Sequence, residues 1–258
     1  MVTETWCDKL ASTPAIGFQY DRAHYAGSDT ILTALAPLLD KWGTPNKADF
    51  SIASQDSFNL NIQRENGFLY QFDPSKSSVT FQHQMKLRPT SGGLPVAEFA
   101  AEPLPFTVLL ENATDQLLDI SLMLADKTGN RSIKRIGIVS TTVVSEDDLP
   151  PGIRRFIEYV SRPWGGGVEG YNFTIIAKLR ETDVYASRCI HTIAKPDDPE
   201  QLMTLRFDWQ KIFEKPILMV RDALSKEIVT ARNSALEYLE EIAEGNAFDE
   251  HLIEDRAE

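Results

Sequence analysis

The chain has 258 residues, 42% of them apolar and 25% charged, and a formal charge of −12. That length allows one large domain or two half-sized ones with a sizeable core, and the composition is that of an ordinary globular chain, neither disordered nor fibrous. No apolar run approaches the ~20 residues a bilayer needs. The opening MVTETWCDKL lacks the basic and apolar stretches of a signal peptide, so a cytoplasmic protein without membrane association is expected.

In chain order, AIGFQYD is rich in aromatic and branched residues and reads as a strand. DTILTALAPLLDKWG follows, with Ile31, Leu35, Leu38 and Leu39 on one helical face. Four strands come next: Phe50 to Ala53, FNLNIQRE, FLYQFD and SVTFQHQMKL. A long helix from Pro105 to Asp126 then carries Phe106, Leu109, Ala113, Leu117, Ile120 and Leu124 on one stripe. The pattern restarts with the strand RIGIVSTTVV and the helix LPPGIRRFIEYVSRPWG, whose apolar face holds Ile153, Phe156, Ile157 and Val160. The strands GYNFTIIAKLR, DVYASRCIHTIAK and QLMTLRFDWQ follow. A last helix, about Leu218 to Ala243, keeps Leu224, Ile228, Ala231, Ala235, Tyr238 and Ile242 at steps of three and four.

Three local matches recur in the same order. They are Ile16-Gly17 with Ile136-Gly137, Trp42-Gly43 with Trp164-Gly165, and Phe50-Ser51-Ile52 with Phe173-Thr174-Ile175. They point to an α+β protein of two tandem β-α-β-β-β-α repeats, offset by about 120 residues. The corresponding boundaries are 1–130 for the N-terminal half, 131–245 for the C-terminal half and 246–258 for an acidic tail. In such a unit an antiparallel sheet buries one face under its helices and leaves the other free to be solvated or to bind. The two halves could join into one curved sheet or stand as two lobes. That element order is similar to the saddle-shaped TATA-box-binding protein, a likeness of layout alone.

The run RIGIVSTTVV after an apolar helix, the LRFDWQ strand and the terminal helix leading to an acidic end resemble an uncharacterised family of bacterial proteins. Its members are of about this length, share a central Arg-Ile-Gly strand and are sporadically distributed. The resemblance covers most of the chain and brings no catalytic residues with it. It implies a component of a mobile defence or toxin-neutralising locus.

Several residue groups invite chemistry. Gly165, Gly167 and Gly170 have the G-x-G-x-x-G spacing of a pyrophosphate-binding turn. Such a turn follows a strand and opens a helix, whereas here the glycines follow a helix and precede a strand, so a mobile turn is expected and no cofactor. Cys189 and His191 share one face of a strand, a pair that could be half of a metal site or a nucleophile with its base. The other histidines, His24, His83 and His251, have no ligand spacing, and two cysteines are too few for a thiolate zinc site, so a buried, unpaired Cys189 and no metal are expected. Glu146, Asp147 and Asp148 stand where acids stabilise the start of the following helix. Arg131, Lys134, Arg135, Arg154 and Arg155 are bases that could grip an acidic ligand. Trp42 and Trp164, at matched positions, read as plugs at the ends of a core.

From Asn233 onward nine acids face one base, so this end holds −8 of the charge. Nonspecific nucleic-acid binding is disfavoured, and a basic protein partner fits the tail. These features favour a non-enzymatic interaction module that uses a sheet face, the last helix or the tail, with Ala231, Ala235, Tyr238, Glu240, Glu241, Asp249 and Glu250 as contact residues. The small Ala231 and Ala235 allow close approach from within the chain or from a second copy, which would give a homodimer. The alternative is an enzyme with His191, Cys189, Asp147 and Arg135 converging in a cleft between the halves.

Overall fold

The computed structural model describes residues 5–42, 49–89, 96–100, 102–129, 131–164, 168–198 and 201–247. Nine strands form one antiparallel sheet. They are β1 (Thr13–Tyr20), β2 (Phe50–Gln55), β3 (Leu60–Arg64), β4 (Phe68–Asp73), β5 (Lys76–Phe81), β8 (Ser132–Val144), β9 (Tyr171–Glu181), β10 (Tyr185–Lys195) and β11 (Met203–Leu218). Their spatial order is β2-β3-β4-β5-β1-β8-β11-β10-β9. The helices are α1 (Trp6–Lys9), α2 (Ser28–Trp42), α3 (Phe106–Thr128), α4 (Pro151–Ser161) and α5 (Arg221–Glu244). No described helix is long and apolar enough to cross a membrane.

The two halves therefore share one sheet, joined at the β1–β8 pair. The register there places Gly17 opposite Gly137, with Ile16 opposite Ile138 and Phe18 opposite Ile136. In each half the last meander strand returns to lie beside the first: β5 beside β1, and β11 beside β8.

Alternation along the strands makes one face of the sheet apolar. Ile16, Phe18 and Tyr20 of β1, Ile136 and Ile138 of β8, and Leu205, Phe207 and Trp209 of β11 are all buried. On this face α3 packs over β1 and β5, and α5 over β8 and β11. The expected stripe of α3 is realised in full, since Phe106, Leu109, Ala113, Leu117, Ile120 and Leu124 have no exposed surface. On α5 the inward line runs through Leu239 in place of Tyr238, which is only partly buried.

The first half is larger than the expected six-element unit. α1 precedes it. The segment read as one strand, SVTFQHQMKL, splits between β5 and a separate hairpin of β6 (Met85–Arg88) and β7 (Val96–Phe99). Polar Gln82, His83 and Gln84 interrupt the alternation that a strand needs there. α1 acts as a clip between the long helices. Asp8 closes a capping box with Thr5, and its other oxygen accepts from the Thr107 amide at 2.8 Å, in the first turn of α3. The Trp6 indole donates to the Leu239 carbonyl of α5 at 2.7 Å.

A lysine lies buried within the helix-facing layer. Lys211 is buried, with its ammonium 2.7 Å from Glu227 of α5 and 4.3 Å from the centroid of the Tyr185 ring. Removing the acid strands a buried charge, whereas removing the base does not. Glu227→Gln is therefore expected to cost about 1–3 kcal/mol, while Lys211→Met is expected to be neutral or stabilising. Urea denaturation of both variants checks the asymmetry, and equal losses would show that the pair itself is favourable.

Candidate functional site on the uncovered sheet face

The other side of the sheet carries the alternate residues of every strand. One row of paired positions crosses all nine strands: Ser54, Asn61, Gln71, Ser78, Gly17, Gly137, Gln210, Arg188 and Lys178. Every member is polar or glycine and none is acidic. Apolar residues would be expected under another layer, so this row is built to meet water or a polar partner.

The two glycines at its middle leave a depression of about 270 Å³, rimmed by Gln19, Gln71, Lys76, Arg135, Arg206 and Asp208. Gly17 lies in tight contact there. A β-carbon on it would stand 3.0 Å from the Ser78 side chain and 3.1 Å from the Ser77 carbonyl.

Arg135 of β8 and Arg188 of β10 converge on the buried Gln210 between them. Both donate to its Oε1, at 3.2 and 2.9 Å, and its amide nitrogen donates to Asp208 at 3.0 Å. Neither guanidinium has a carboxylate partner among the described residues, and neither does the exposed Arg206. Arg64, Arg221 and Arg232, by contrast, are paired with Asp49, Asp119 and Glu111. This face thus concentrates uncompensated positive charge on an acidic protein, with Asp208 as the acid among the rim residues. A guanidinium presents a planar fork of donors that matches a carboxylate or phosphate. The arrangement can hold an acidic group.

The other expected residues fall elsewhere. Cys189 and His191 do share a strand face, but it is the helix-covered one. Burial pushes the Cys189 thiol well above its usual range and lowers His191 to about 4. His191 meets the Tyr238 hydroxyl at 3.0 Å. Asp147 lies in a short turn of 3₁₀ helix, Glu146–Asp148, where its carbonyl accepts from Arg154 at 2.6 Å. Arg135 lies on the opposite side of the sheet from Cys189 and His191. These four residues do not form one site. Among the described residues no group of three or more His, Cys, Asp or Glu comes together in a way that could hold a metal ion. Cys7 and Cys189 are both free and buried, and burial pushes Cys7 up to about 12.

Further expectations need correcting. The acids before α4 do not cap it through their side chains, because Pro150 takes the N-cap position and Ser145 engages Asp148 instead. Arg131 is not a surface base. It is buried, with its guanidinium 4.9 Å from the centroid of the Tyr20 ring. Trp42 is packed on Tyr70 at 4.7 Å, but its counterpart Trp164 is 66% exposed, on a turn beyond the end of α4. Ala231 and Ala235 are completely buried, so the close approach they permit is met from within the chain, where α3 lies against α5. Glu240 accepts from the Trp6 amide at 3.2 Å, and Glu241 is exposed. Asp249, Glu250 and the glycines 165 and 167 lie outside the described residues. Gly170 comes after α4 and just before β9, the order expected of a turn.

Arg188, Arg206 and Gln210 were not among the sequence candidates. A signal for two of them exists in MTLRFDWQ, where Arg206, Asp208 and Gln210 alternate with Leu205, Phe207 and Trp209. Their convergence with Arg135 needs the strand order, which alternation does not contain. Comparison of the whole chain with protein-family models and with curated proteins finds no match in either.

Proposed function

We propose that this chain is a non-enzymatic binding module, built from two copies of one β-α-β-β-β-α unit, that grips an acidic surface of a protein partner on its uncovered sheet face. The observation that carries the reading is the set of arginines without carboxylate partners: Arg135 and Arg206 line the depression at Gly17 and Gly137, and Arg188 joins them through Gln210. Duplication explains why the two Ile-Gly dipeptides meet at the centre of the sheet, and why each half folds its last meander strand back beside its first. A pseudo-twofold through Gly17 and Gly137 puts two small residues where the partner approaches closest.

A protein surface fits better than nucleic acid. The row across the sheet is made of hydroxyls, amides, two basic side chains and two glycines, without the aromatic rings that base stacking uses. The charge of this face asks for an acidic counterpart, opposite to the basic partner that suits the tail.

The test uses a fluorescein-labelled peptide of ten glutamates and the full chain, read by anisotropy at low and physiological salt. Binding should weaken with salt, as screening requires. Arg206→Gln, which removes an exposed side chain, should weaken it about threefold, and the triple variant with Arg135→Gln and Arg188→Gln at least about tenfold. Equal affinity of the triple variant and the wild type would remove this face from the proposal.

A further inference from the structure

A second concavity, independent of the open face, lies between the last turns of α4 and the edge strand β9. It measures about 800 Å³, the size of a small-molecule site. Ile157 and Val160 of α4 give it an apolar base, and aromatic rings form its walls. Tyr171 and Phe173 project from one face of β9 and stack with centroids 5.6 Å apart. Trp164 also lines the groove, with two thirds of its surface open to solvent. An exposed indole at the mouth of an aromatic groove is costly to leave against water and well suited to cover a ligand.

The unpaired charges lining the groove are acidic. Glu169 and Asp197 line the groove, and no described residue pairs with either. The base that lines it, Lys195, is already held 2.5 Å from Glu146. Gly170 is what brings the two acids together. A β-carbon there would stand 2.9 Å from the Asp197 amide nitrogen and 3.1 Å from the Lys195 carbonyl, so only glycine lets the chain entering β9 lie this close to the chain leaving β10.

We propose that this groove binds an alkylated ammonium cation, its methyl groups against the Trp164, Tyr171 and Phe173 rings and its charge balanced by Glu169 and Asp197. Ring faces attract a cation through their quadrupole, and alkyl groups on the nitrogen remove the tight hydration that keeps bare ammonium in water. A neutral apolar ligand would use the rings but leave both carboxylates without a counter-charge. An anion would meet those carboxylates directly. The cation has two natural sources, a free quaternary ammonium compound or a methylated lysine on a peptide, and both present the same chemistry to the site.

The test is a ligand-observed NMR titration of the full chain with choline and with 3,3-dimethylbutan-1-ol, the uncharged isostere in which carbon replaces nitrogen. Choline should bind at least about tenfold more tightly than the isostere. Trp164→Ala should abolish choline binding, and since this side chain is largely exposed the variant should fold, as circular dichroism will show. Glu169→Gln with Asp197→Asn should weaken choline at least about threefold and flatten its salt dependence. A blocked peptide with one trimethyllysine among serines and glycines separates the sources. Tighter binding than choline assigns the site to a protein tail, and weaker binding assigns it to a free cation. Equal binding of choline and its isostere, absence of binding by both choline and the peptide, or an unchanged affinity in Trp164→Ala overturns the proposal.

Discussion

Gly152→Ala is expected to destabilise the protein by about 3 kcal/mol, although alanine is the better helix former by up to about 1 kcal/mol. The opposition of signs makes the experiment decisive. Gly152 is the second residue of α4, and a β-carbon on it would lie 2.2 Å from the Ile242 carbonyl, 2.3 Å from the Gly245 nitrogen and 2.6 Å from the Gly245 α-carbon. All three are backbone atoms, so no side chain can rotate away. They belong to the C-terminal cap of α5, where Gly245 takes a left-handed conformation with φ 92° and its amide returns to the Glu241 and Ile242 carbonyls. Arg155 fastens the same junction by donating to the Glu244 carbonyl at 2.7 Å. An alanine must push the start of α4 off the end of α5. Gly129 provides the control. It also has a positive φ (88°, with ψ 160°) but nothing within 4 Å, so Gly129→Ala should cost only the strain of its backbone, on the order of 1–3 kcal/mol, without any clash. Urea denaturation of the two variants measures both. A Gly152→Ala protein as stable as the wild type would mean that α4 and α5 do not meet this way.

Acid should destabilise the fold through His191, by about 2 kcal/mol between pH 7 and pH 5. The ring lies under α5, edge-on to Phe207 at 5.4 Å, with the Tyr238 hydroxyl as its hydrogen-bond partner. Burial lowers its pKa from 6.5 to about 4. Above pH 6.5 the ring is neutral both folded and unfolded, and the linkage contributes nothing. As pH falls below 6.5 the unfolded chain takes up the proton while the folded protein refuses it, and stability declines until the folded ring titrates near pH 4. The full loss across that window is about 3 kcal/mol. Carboxylates titrate in the lower part of the same range, so the measurement is the difference between wild type and His191→Gln, followed by denaturant unfolding from pH 7 to pH 4. The variant should lack this slope. Parallel curves would mean that the ring is hydrated.

The sequence carried more of the layers than of the sites. Apolar spacing of 3.6 on α3 and of 2 on β1 and β8 is a local consequence of which surfaces must leave water, and each expected inward residue of α3 is buried. The Ile-Gly dipeptides were visible as a repeated pattern, but not that they face each other. Trp164 shows the limit in the other direction. Its local sequence matches Trp42, yet one ring is stacked on Tyr70 and the other stands in solvent. A tryptophan after a helix has no preference that fixes which way the chain turns next.

By themselves, then, the residues determined the mixed α+β class, the long helices with their buried stripes, and the separation of each strand into an apolar and a polar side. Those follow from dihedral geometry and hydrophobicity within a few neighbouring residues. Only the tertiary structure decided that β1 pairs with β8 in one continuous sheet. The same fold turns Cys189 and His191 toward α5, and it gathers Arg135, Arg188 and Gln210 from three strands while leaving their charge unmatched. Pairing between distant strands depends on how the whole set of apolar faces is covered at once, and that is a property of the packed molecule and of no single segment.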